Sequence, residues 1–272
     1  MTASAPAISV VIVAFESGAT LSRCLAALRA QTFGDFEVLL VDNASSDGAA
    51  QAAAKADPAI RLIEAGGNIG FAAGNNLAAG QARGQWLALL NPDAYADPDW
   101  LEQLIAATRR WPKIRSFACL QKAADRPGKI DGAGDVLTLA GIPYRGAYGH
   151  DLVALPEGEV FSACGAAHLI ARDLFLQMGG FDERFVSLGG GMVNHALLDK
   201  VRADEGLQEV MLLGEGSFHQ LHYGATTQPG EEFFERSIGG QLQLMTALAQ
   251  ADSTEDLFLR LEAGGQMLRI DR

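Results

Sequence analysis

The sequence predicts a single α/β domain, a Rossmann-like and mostly parallel sheet with helices on both faces. Over the first hundred residues, short uninterrupted runs of apolar, β-branched residues alternate with amphipathic segments. Polar turn residues follow each apolar run. Strands that are apolar throughout are buried on both faces, which is typical of parallel sheets covered by helices.

Each apolar run is short enough to be one strand, and the segments between them have helical spacing. Strands are predicted at 8–15, 36–41, 60–63 and 86–90. The predicted helices begin near Thr20, at Ser45 or Ser46, at about 71, and at Asp97 with Pro98 in the first helical position. The second of these helices ends before Pro58, and the third ends near residue 83.

The pattern changes after the first hundred residues. Residues 122–158 are rich in Gly, Pro and polar residues and are interpreted as an elaborated loop. Beyond them we predict a strand at 161–171, a helix at 195–205, a strand at 209–213 and a helical segment after 231. The domain is therefore divided into a first half (1–121), a second half (122–230) and a C-terminal helical segment (231–272).

Charge and composition exclude several classes of protein. The formal net charge is −12 and no run of Lys or Arg offsets it, which argues against nucleic acid and against an electrostatic membrane anchor. The N-terminal apolar run lacks a basic flank and is too short to span a bilayer. Three widely spaced cysteines indicate reduced thiols. We expect a cytoplasmic protein without a transmembrane segment, with peripheral membrane association and oligomeric state left open.

Polar or aromatic residues follow three of the predicted strands. Phe15 and Glu16 end the first, Asp42 and Asn43 the second, and Asn91-Pro92-Asp93 the fourth. Ligands of open parallel sheets bind outside the carboxyl ends of the strands. There a ring can stack on a nucleobase while a carboxylate accepts an N–H from the base. The alternative is that Asp42 starts an Asx-turn and Phe15 belongs to the core.

Asp93 indicates a divalent metal. Mg²⁺ or Mn²⁺ needs only one or two protein carboxylates when phosphate oxygens and water complete its coordination. A metal-bound diphosphate is also a stabilised leaving group. The alternative for an isolated Asn-Pro-Asp sequence is a surface turn.

Four ordered motifs carry a family resemblance: ISVVIVAFES, QTFGDFEVLLVDNASSDG, GGNIGFAAGNN and WLALLNPDA. In this order they resemble the family 2 glycosyltransferases of the GT-A fold, and in particular a rhamnosyltransferase-like branch. The likeness resumes at 161–185. It implies that Phe15 and Asp42 bind the nucleobase, that Asn68 and Asn76 line the nucleotide site, and that Asp93 ligates the metal. Asn68 and Asn76 also suit the turns of a Gly-rich stretch.

The sequence departs from the family after FDERF, where members carry an acidic pair whose Asp deprotonates the acceptor. Gly190 and Gly191 occupy those positions. His195 is the nearest titratable replacement, with an unperturbed pKa of about 6.5, and Asp182 is the second catalytic candidate. The alternatives are a helix-surface histidine and an Asp that only fixes its turn.

Two more histidines, His219 and His222, follow in GEGSFHQLH. Spaced three apart on a helix or turn, both rings could face one side. The family implies a histidine metal ligand at about this distance, which favours His219.

Together these features predict an inverting transferase that moves a sugar from dTDP-rhamnose or a UDP-sugar to a glycan or lipid-linked glycan in surface polysaccharide synthesis. The alternative is a degenerate domain that only binds nucleotide or glycan. A nucleotidyltransferase fits poorly, because AFESGATLS lacks a Gly-rich phosphate loop and a basic residue.

Overall fold

The structure is a computed structural model. It describes residues 5–137, 143–153, 155, 157–183 and, as backbone, 209–219. Within these residues one mixed sheet of ten strands forms the centre of the molecule, and a second sheet has two strands.

Four parallel strands make the first half of the sheet: β1 (Ile8–Ala14), β2 (Phe36–Asp42), β3 (Ile60–Glu64) and β4 (Trp86–Leu90). Their order is β4-β1-β2-β3, so β1 lies between β2 and β4. All four lie within two residues of the predicted bounds. Their apolar side chains are largely buried, as expected for strands covered on both faces.

Five helices occur in the described residues: α1 (Gly18–Arg29), α2 (Ala49–Ala56), α3 (Gly70–Gln81), α4 (Trp100–Arg110) and α5 (Arg172–Gln177). The crossovers β1-α1-β2 and β2-α2-β3 run in one direction along the sheet, while β3-α3-β4 returns past β1. Because such crossovers are right-handed, α3 lies on the face opposite α1 and α2. Accordingly α1 contacts α2, and α3 contacts α5.

Two predicted helix starts were wrong by two or more residues. The first helix begins at Gly18, not near Thr20, whose hydroxyl instead donates to the carbonyl of Ser17 (2.6 Å). The second begins after Gly48, which has a positive φ of 67°, and neither Ser45 nor Ser46 caps it. The Oδ1 of Asp47 accepts the N–H of Ala49 (2.9 Å) in their place.

The fourth helix also begins later than predicted. It starts at Trp100 after Asp99, because the residues expected to start it have other partners. The Asp97 carboxylate accepts a hydrogen bond from Lys122 Nζ (2.5 Å), and the Pro98 carbonyl accepts the N–H of Thr32 (2.8 Å).

The second half of the sheet contains strands that the sequence pattern did not indicate. Residues 122–158, predicted to be a loop, include the end of β6 and all of β7, β8 and β9. The strands of this half are β5 (Ala94–Ala96), β6 (Ser116–Ala123), β7 (Ile130–Ala133), β10 (Gly158–Glu159), β11 (Ala167–Ala171) and β12 (Glu209–His219). The separate two-stranded sheet consists of β8 (Asp135–Leu137) and β9 (Pro143–Arg145).

β11 lies antiparallel between β4 and β6 and joins the two halves of the sheet. It is shorter than the predicted strand 161–171, because a turn closed by the Ala167 N–H on the Cys164 carbonyl (3.2 Å) precedes it. β12 pairs with β6 and continues to His219, six residues beyond the predicted end at 213. A register shift between Leu212 and Gly216 accommodates its glycines.

A buried carboxylate joins the amino ends of β1 and β2, far from the strands' carboxyl ends. Glu37 Oε1 accepts hydrogen bonds from Ser9 Oγ (2.7 Å) and from the N–H of Arg83 (2.8 Å). Its Oε2 accepts from the guanidinium groups of Arg61 (2.8 Å) and Arg83 (2.7 Å). Burial alone would raise the pKa of Glu37, but these donors lower it to about 2.

Two further expectations concern thiols and membranes. Cys24, Cys119 and Cys164 take part in no disulfide among the described residues. None of the described helices is long and apolar enough to cross a membrane.

Candidate active site

The carboxyl ends of β1 and β2 bring the two predicted nucleobase residues to one edge of the sheet. Ala14 pairs with Asp42 across the strands, and the Asn43 N–H donates to the Ala14 carbonyl (2.9 Å). Phe15 follows Ala14 directly, and its side chain is 48% exposed. A large aromatic ring open to solvent beside a buried carboxylate is the arrangement that base stacking needs; it excludes the alternative that Phe15 is a core residue.

Asp42 is buried, and its carboxylate is held by two donors. The Ser45 N–H bonds to Oδ1 (3.1 Å) and Gln51 Nε2 bonds to Oδ2 (2.7 Å). Burial alone would raise the pKa of Asp42, but these hydrogen bonds outweigh it and hold the pKa below its usual value. Asp42 is therefore ionised near neutral pH. The Ser45 bond is the predicted Asx-turn contact, and it leaves Asp42 at the strand end.

Glu16 lies in a left-handed backbone conformation, with φ of 48°. Its Oε1 accepts the Ser46 N–H (2.7 Å), and its own N–H donates to Ser45 Oγ (3.2 Å). Ala44 in the facing loop also has a positive φ, of 62°. Such conformations cost non-glycine residues about 1–2 kcal/mol, and the two loops hold them by bonding to each other. The nucleotide contact predicted for Glu16 stays a prediction.

Asn43 and Asn68 fix the loop that precedes α3. Asn43 Nδ2 donates to Asn68 Oδ1 (2.8 Å), and Asn43 Oδ1 accepts the N–H of Ile69 (2.9 Å). Asn68 Oδ1 also accepts the N–H of Gly70 (3.1 Å), at the first residue of the helix. Both amides thus have a loop-fixing role at the predicted nucleotide edge, and their contact with a ligand stays a prediction.

Asn76 contacts the FDE turn rather than the Asn43 loop. Its side chain accepts the N–H of Phe181 (2.9 Å) and donates to the Phe181 carbonyl and to Glu183 Oε1 (both 2.9 Å). Gly180 lets the turn approach, because a Cβ there would lie 2.3 Å from Asn76 Oδ1. Asp182, between the two bonded residues, is thereby held against α3. The nucleotide role of Asn76 and the catalytic role of Asp182 stay predictions.

The Asn-Pro-Asp turn brings the two predicted metal ligands into neighbouring positions. Asn91 is bonded through its N–H to the Ala166 carbonyl (3.0 Å), and its own carbonyl accepts the Ala94 N–H (3.0 Å). Asp93 is buried in this turn. Ala94, the next residue, pairs with His219 in the β5–β12 ladder. The backbone of Asp93, which immediately precedes β5, is therefore close to that of His219 on β12, although 126 positions separate them in the sequence.

The negative charge of Asp93 acts on its surroundings. Cys24 of α1 lies under the turn, and its thiol donates to the Asn91 carbonyl (3.6 Å). Burial raises the pKa of Cys24, and the charge of Asp93 raises it further. A buried carboxylate is a ligand that suits Mg²⁺ or Mn²⁺ when phosphate supplies other ligands. Among the side chains that the structure describes, no group of three or more His, Cys, Asp and Glu could hold a metal without such help.

Sequence reasoning missed the residues that support this edge. Asp47 accepts the N–H of Gly18 (2.8 Å) as well as that of Ala49, and so joins the starts of α1 and α2. Gln51 holds Asp42. The Arg23 guanidinium lies 4.1 Å from the ring centroid of Tyr95 beside the Asn-Pro-Asp turn. The Ser-Ser-Asp-Gly sequence was a signal for Asp47, since Asp is a common residue at helix starts.

Five sequence predictions lie outside the described residues. They are His195, His222, the Gly190-Gly191 pair, the helix at 195–205 and the helical segment at 231–272. His219 itself is the last residue of β12, and the shared direction of the His219 and His222 rings stays a prediction.

Comparison with known proteins agrees with this geometry. The sequence profile of "Glycosyl transferase family 2" matches residues 9–124. An N-acetylglucosaminyl-diphospho-decaprenol L-rhamnosyltransferase of Mycobacterium tuberculosis is 32% identical over 200 residues, which cover 65% of this chain and 65% of that protein. The O-antigen biosynthesis protein RfbC of Myxococcus xanthus is 33% identical over 66% of this chain and 15% of its own length.

The fold has solved relatives as well. A crystal structure of GalNAc-T7 with UDP, GalNAc and Mn²⁺ superposes with a TM-score of 0.67 at 16% identity, over 97% of this chain and 55% of that one. The architecture is therefore that of a GT-A domain. The profile match identifies residues 9–124 as a family 2 glycosyltransferase domain.

Proposed function

We propose that this chain is a metal-dependent inverting glycosyltransferase of surface polysaccharide synthesis, acting in the cytoplasm. The donor is dTDP-rhamnose or a UDP-sugar, and the acceptor is a glycan or lipid-linked glycan. One observation carries the proposal: an ionised, buried Asp42 beside the exposed Phe15 ring, at the same sheet edge as the buried Asp93 and the adjacent His219 backbone. The rhamnosyltransferase relative supports a rhamnosyl donor.

In this proposal the two halves of the chain have different roles. Residues 1–121 bind the donor: Phe15 stacks on the nucleobase, the Asp42 carboxylate accepts an N–H from it, and the loops of Glu16, Asn43 and Asn68 surround the nucleotide. Asp93 and His219 would hold Mg²⁺ or Mn²⁺. When bound, that ion neutralises the diphosphate and makes it a better leaving group.

Residues 122–230 bind the acceptor, and residues 231–272 form a C-terminal helical segment. His195 accepts the proton of the acceptor hydroxyl as its oxygen attacks the anomeric carbon from the side opposite the diphosphate. The neutral imidazole has a pKa suited to this step near pH 7. Asp182, held against α3 through its neighbours' bonds to Asn76, is the second candidate.

A second function has its own supporting observation. Glycines at 190 and 191 replace the acidic pair that family resemblance leads us to expect, and glycine cannot accept a proton. A domain that retains the nucleotide edge but lacks a base would be a binding or scaffolding module. Both functions predict nucleotide binding, so turnover distinguishes them.

The test is thermal unfolding of the full chain with UDP-, GDP- and dTDP-sugars, in Mn²⁺ and in EDTA. A ligand at a hundredfold excess over its Kd stabilises the native state by about 2.7 kcal/mol. Asp42→Ala should weaken the nucleotide shift in both conditions, because it removes a base contact. Asp93→Ala should remove only the part that depends on Mn²⁺. Equal losses in EDTA for both variants would refute these roles, and absence of transfer and donor hydrolysis in the wild type would favour the binding module.

A further inference from the structure

A polar cluster lies beside the donor edge, and none of the roles above uses it. It consists of Gln121, Asp131, Asp135, Arg145, Ser162 and Cys164, and is called here the Gln121 cluster. Gln121 and Asp131 are buried, at 1% and 0% exposure. Its members contribute an amide, two carboxylates, a guanidinium, a hydroxyl and a thiol to one small region, which is a costly composition for a protein interior.

Two separate connections place this cluster next to the Asn-Pro-Asp turn. In the sheet, Gln121 of β6 pairs with Ser217 of β12, which pairs in turn with Ala96 of β5, just after Asp93. On the other side, the segment that contains Ser162 and Cys164 is bonded to the turn through the Asn91 N–H and the Ala166 carbonyl (3.0 Å).

Each charged side chain of the cluster has a hydrogen-bond partner within the cluster. Arg145 Nη1 donates to Asp131 Oδ2 (2.8 Å). Ser162 Oγ donates to Asp135 Oδ2 (2.8 Å), and the Asp135 N–H donates to the Ser162 carbonyl (2.8 Å). Burial raises the pKa of Cys164, Asp135 raises it further and Arg145 lowers it, so all three lie close together. Asp135 and Cys164 are partly exposed, which opens the cluster to solvent.

The amide of Gln121 is the exception to this pairing. Among the described residues, neither its Nε2 nor its Oε1 has an oxygen or nitrogen partner within hydrogen-bond geometry. Its hydrogen bond is to the Cys164 thiol, a weak hydrogen-bonding group, and Gly132 leaves room beside Oε1. A buried amide bonded to a thiol alone leaves most of its hydrogen-bonding capacity unused, which lowers stability by about 1–3 kcal/mol.

We propose that the Gln121 cluster binds hydroxyl groups of the acceptor sugar, with the Gln121 amide both donating to and accepting from them. The inference rests on the proposed function, because a transferase must bring its acceptor to the sheet edge at which Phe15, Asp42 and Asp93 are proposed to hold the donor. A sugar hydroxyl is both donor and acceptor, and so is an amide, whereas the partly exposed Asp135 carboxylate accepts a second hydroxyl. Polar groups already oriented by their neighbours bind such a ligand at low entropic cost.

The decisive variant is Gln121→Met, which keeps the shape of the side chain and removes its polar atoms. If the amide is kept for a ligand, the variant should unfold about 2–6 °C higher than the wild type. Methyl glycosides of rhamnose, glucose, galactose, mannose and N-acetylglucosamine serve as probes, each at millimolar concentration with dTDP or UDP and Mn²⁺. At least one should stabilise the wild type, with an affinity about tenfold weaker in the variant.

Controls separate this inference from the proposed function. Gln103→Met changes an α4 side chain that bonds Asp99 (3.1 Å), and it should leave glycoside binding unchanged. Ser162→Ala should weaken glycoside binding without raising the unfolding temperature. The nucleotide shift alone reports on the proposed function. If no glycoside stabilises the wild type, if Gln121→Met binds it equally well, or if that variant unfolds at a lower temperature, the inference is wrong.

Discussion

Gln51 Nε2 donates a 2.7 Å hydrogen bond to Asp42 Oδ2, and so a residue of α2 sets the charge of a strand-end carboxylate. Asp42 is buried, where an unassisted carboxylate would resist ionisation. The Gln51 amide and the Ser45 N–H supply the bonds that keep it charged. The proposed base contact therefore depends on a helix residue that no strand-end motif contains.

Gln51→Leu should weaken nucleotide binding at low pH, although residue 51 is not proposed to contact the nucleotide. The loss of one hydrogen bond to a charged group, about 1.5–3 kcal/mol, raises the pKa of Asp42 from its lowered value. Because only the ionised form accepts the base N–H, the Kd for UDP or dTDP should change little at pH 7 and should rise severalfold as pH falls to 4. Isothermal titration calorimetry at several pH values measures this. Gln103→Leu is the matched control; equal Kd values for the two variants at pH 4 would contradict the role of Gln51.

His195→Ala tests the proposed base. It should lower kcat by about 10²- to 10⁴-fold, the usual effect of losing a general base, while the donor Kd stays constant. His219→Ala should do the opposite and weaken only metal-dependent donor binding. Steady-state transfer assays combined with calorimetry separate the two effects, and a wild-type kcat in His195→Ala would remove this histidine from the mechanism.

The buried imidazole of His168, the second residue of β11, predicts that the protein loses stability in acid. It is 2% exposed and bonds Ser116 Oγ (2.8 Å), and burial lowers its pKa from 6.5 to about 4. The unfolded chain thus binds the proton more readily, so stability is fully present above pH 6.5 and declines as pH falls from 6.5 to 4. Urea unfolding across this range should show the decline. His168→Gln should reduce the slope, and an unchanged slope would assign the decline to other groups.

Glu37 predicts a second decline at lower pH. Its folded pKa of about 2 lies below the ordinary 4.5, so its contribution is present above 4.5 and is lost as pH falls from 4.5 to 2. Glu37→Gln leaves two arginines without their carboxylate, and since both are partly exposed we expect a loss of about 1–3 kcal/mol. Denaturant unfolding measures it. Nucleotide affinity should not change, because Glu37 lies at the opposite end of the strands.

The first half of the fold was predictable because its strands are buried on both faces. A run such as Trp86–Leu90 has no polar position, and its strand pattern needs no partner to be recognised. Strands β7 to β9 were missed for the converse reason. They have three or four residues each and contain Gly and Pro, and their pairing partners make them strands.

The candidate site likewise contains residues that a local sequence pattern marks and residues that only the folded structure reveals. Phe15, Asp42 and Asp93 lie at the end of a strand or within three residues of it, so the rule that ligands bind at strand ends was enough to nominate them as site residues. Asp47, Gln51 and the Gln121 cluster act through contacts between distant segments, and no local pattern marks such contacts. The closeness of His219 to Asp93 was foreseen from family resemblance, but its physical cause is the β5–β12 ladder.

The insertion of β11 between β4 and β6 has a consequence for synthesis on the ribosome. Trp86–Leu90 is complete long before its antiparallel neighbour, Ala167–Ala171, leaves the exit tunnel. At about 5–20 residues per second, this apolar strand waits on the order of ten seconds with one side unpaired. An exposed apolar edge is a template for aggregation. The nascent chain should therefore need protection by a chaperone over this interval more than at any earlier one.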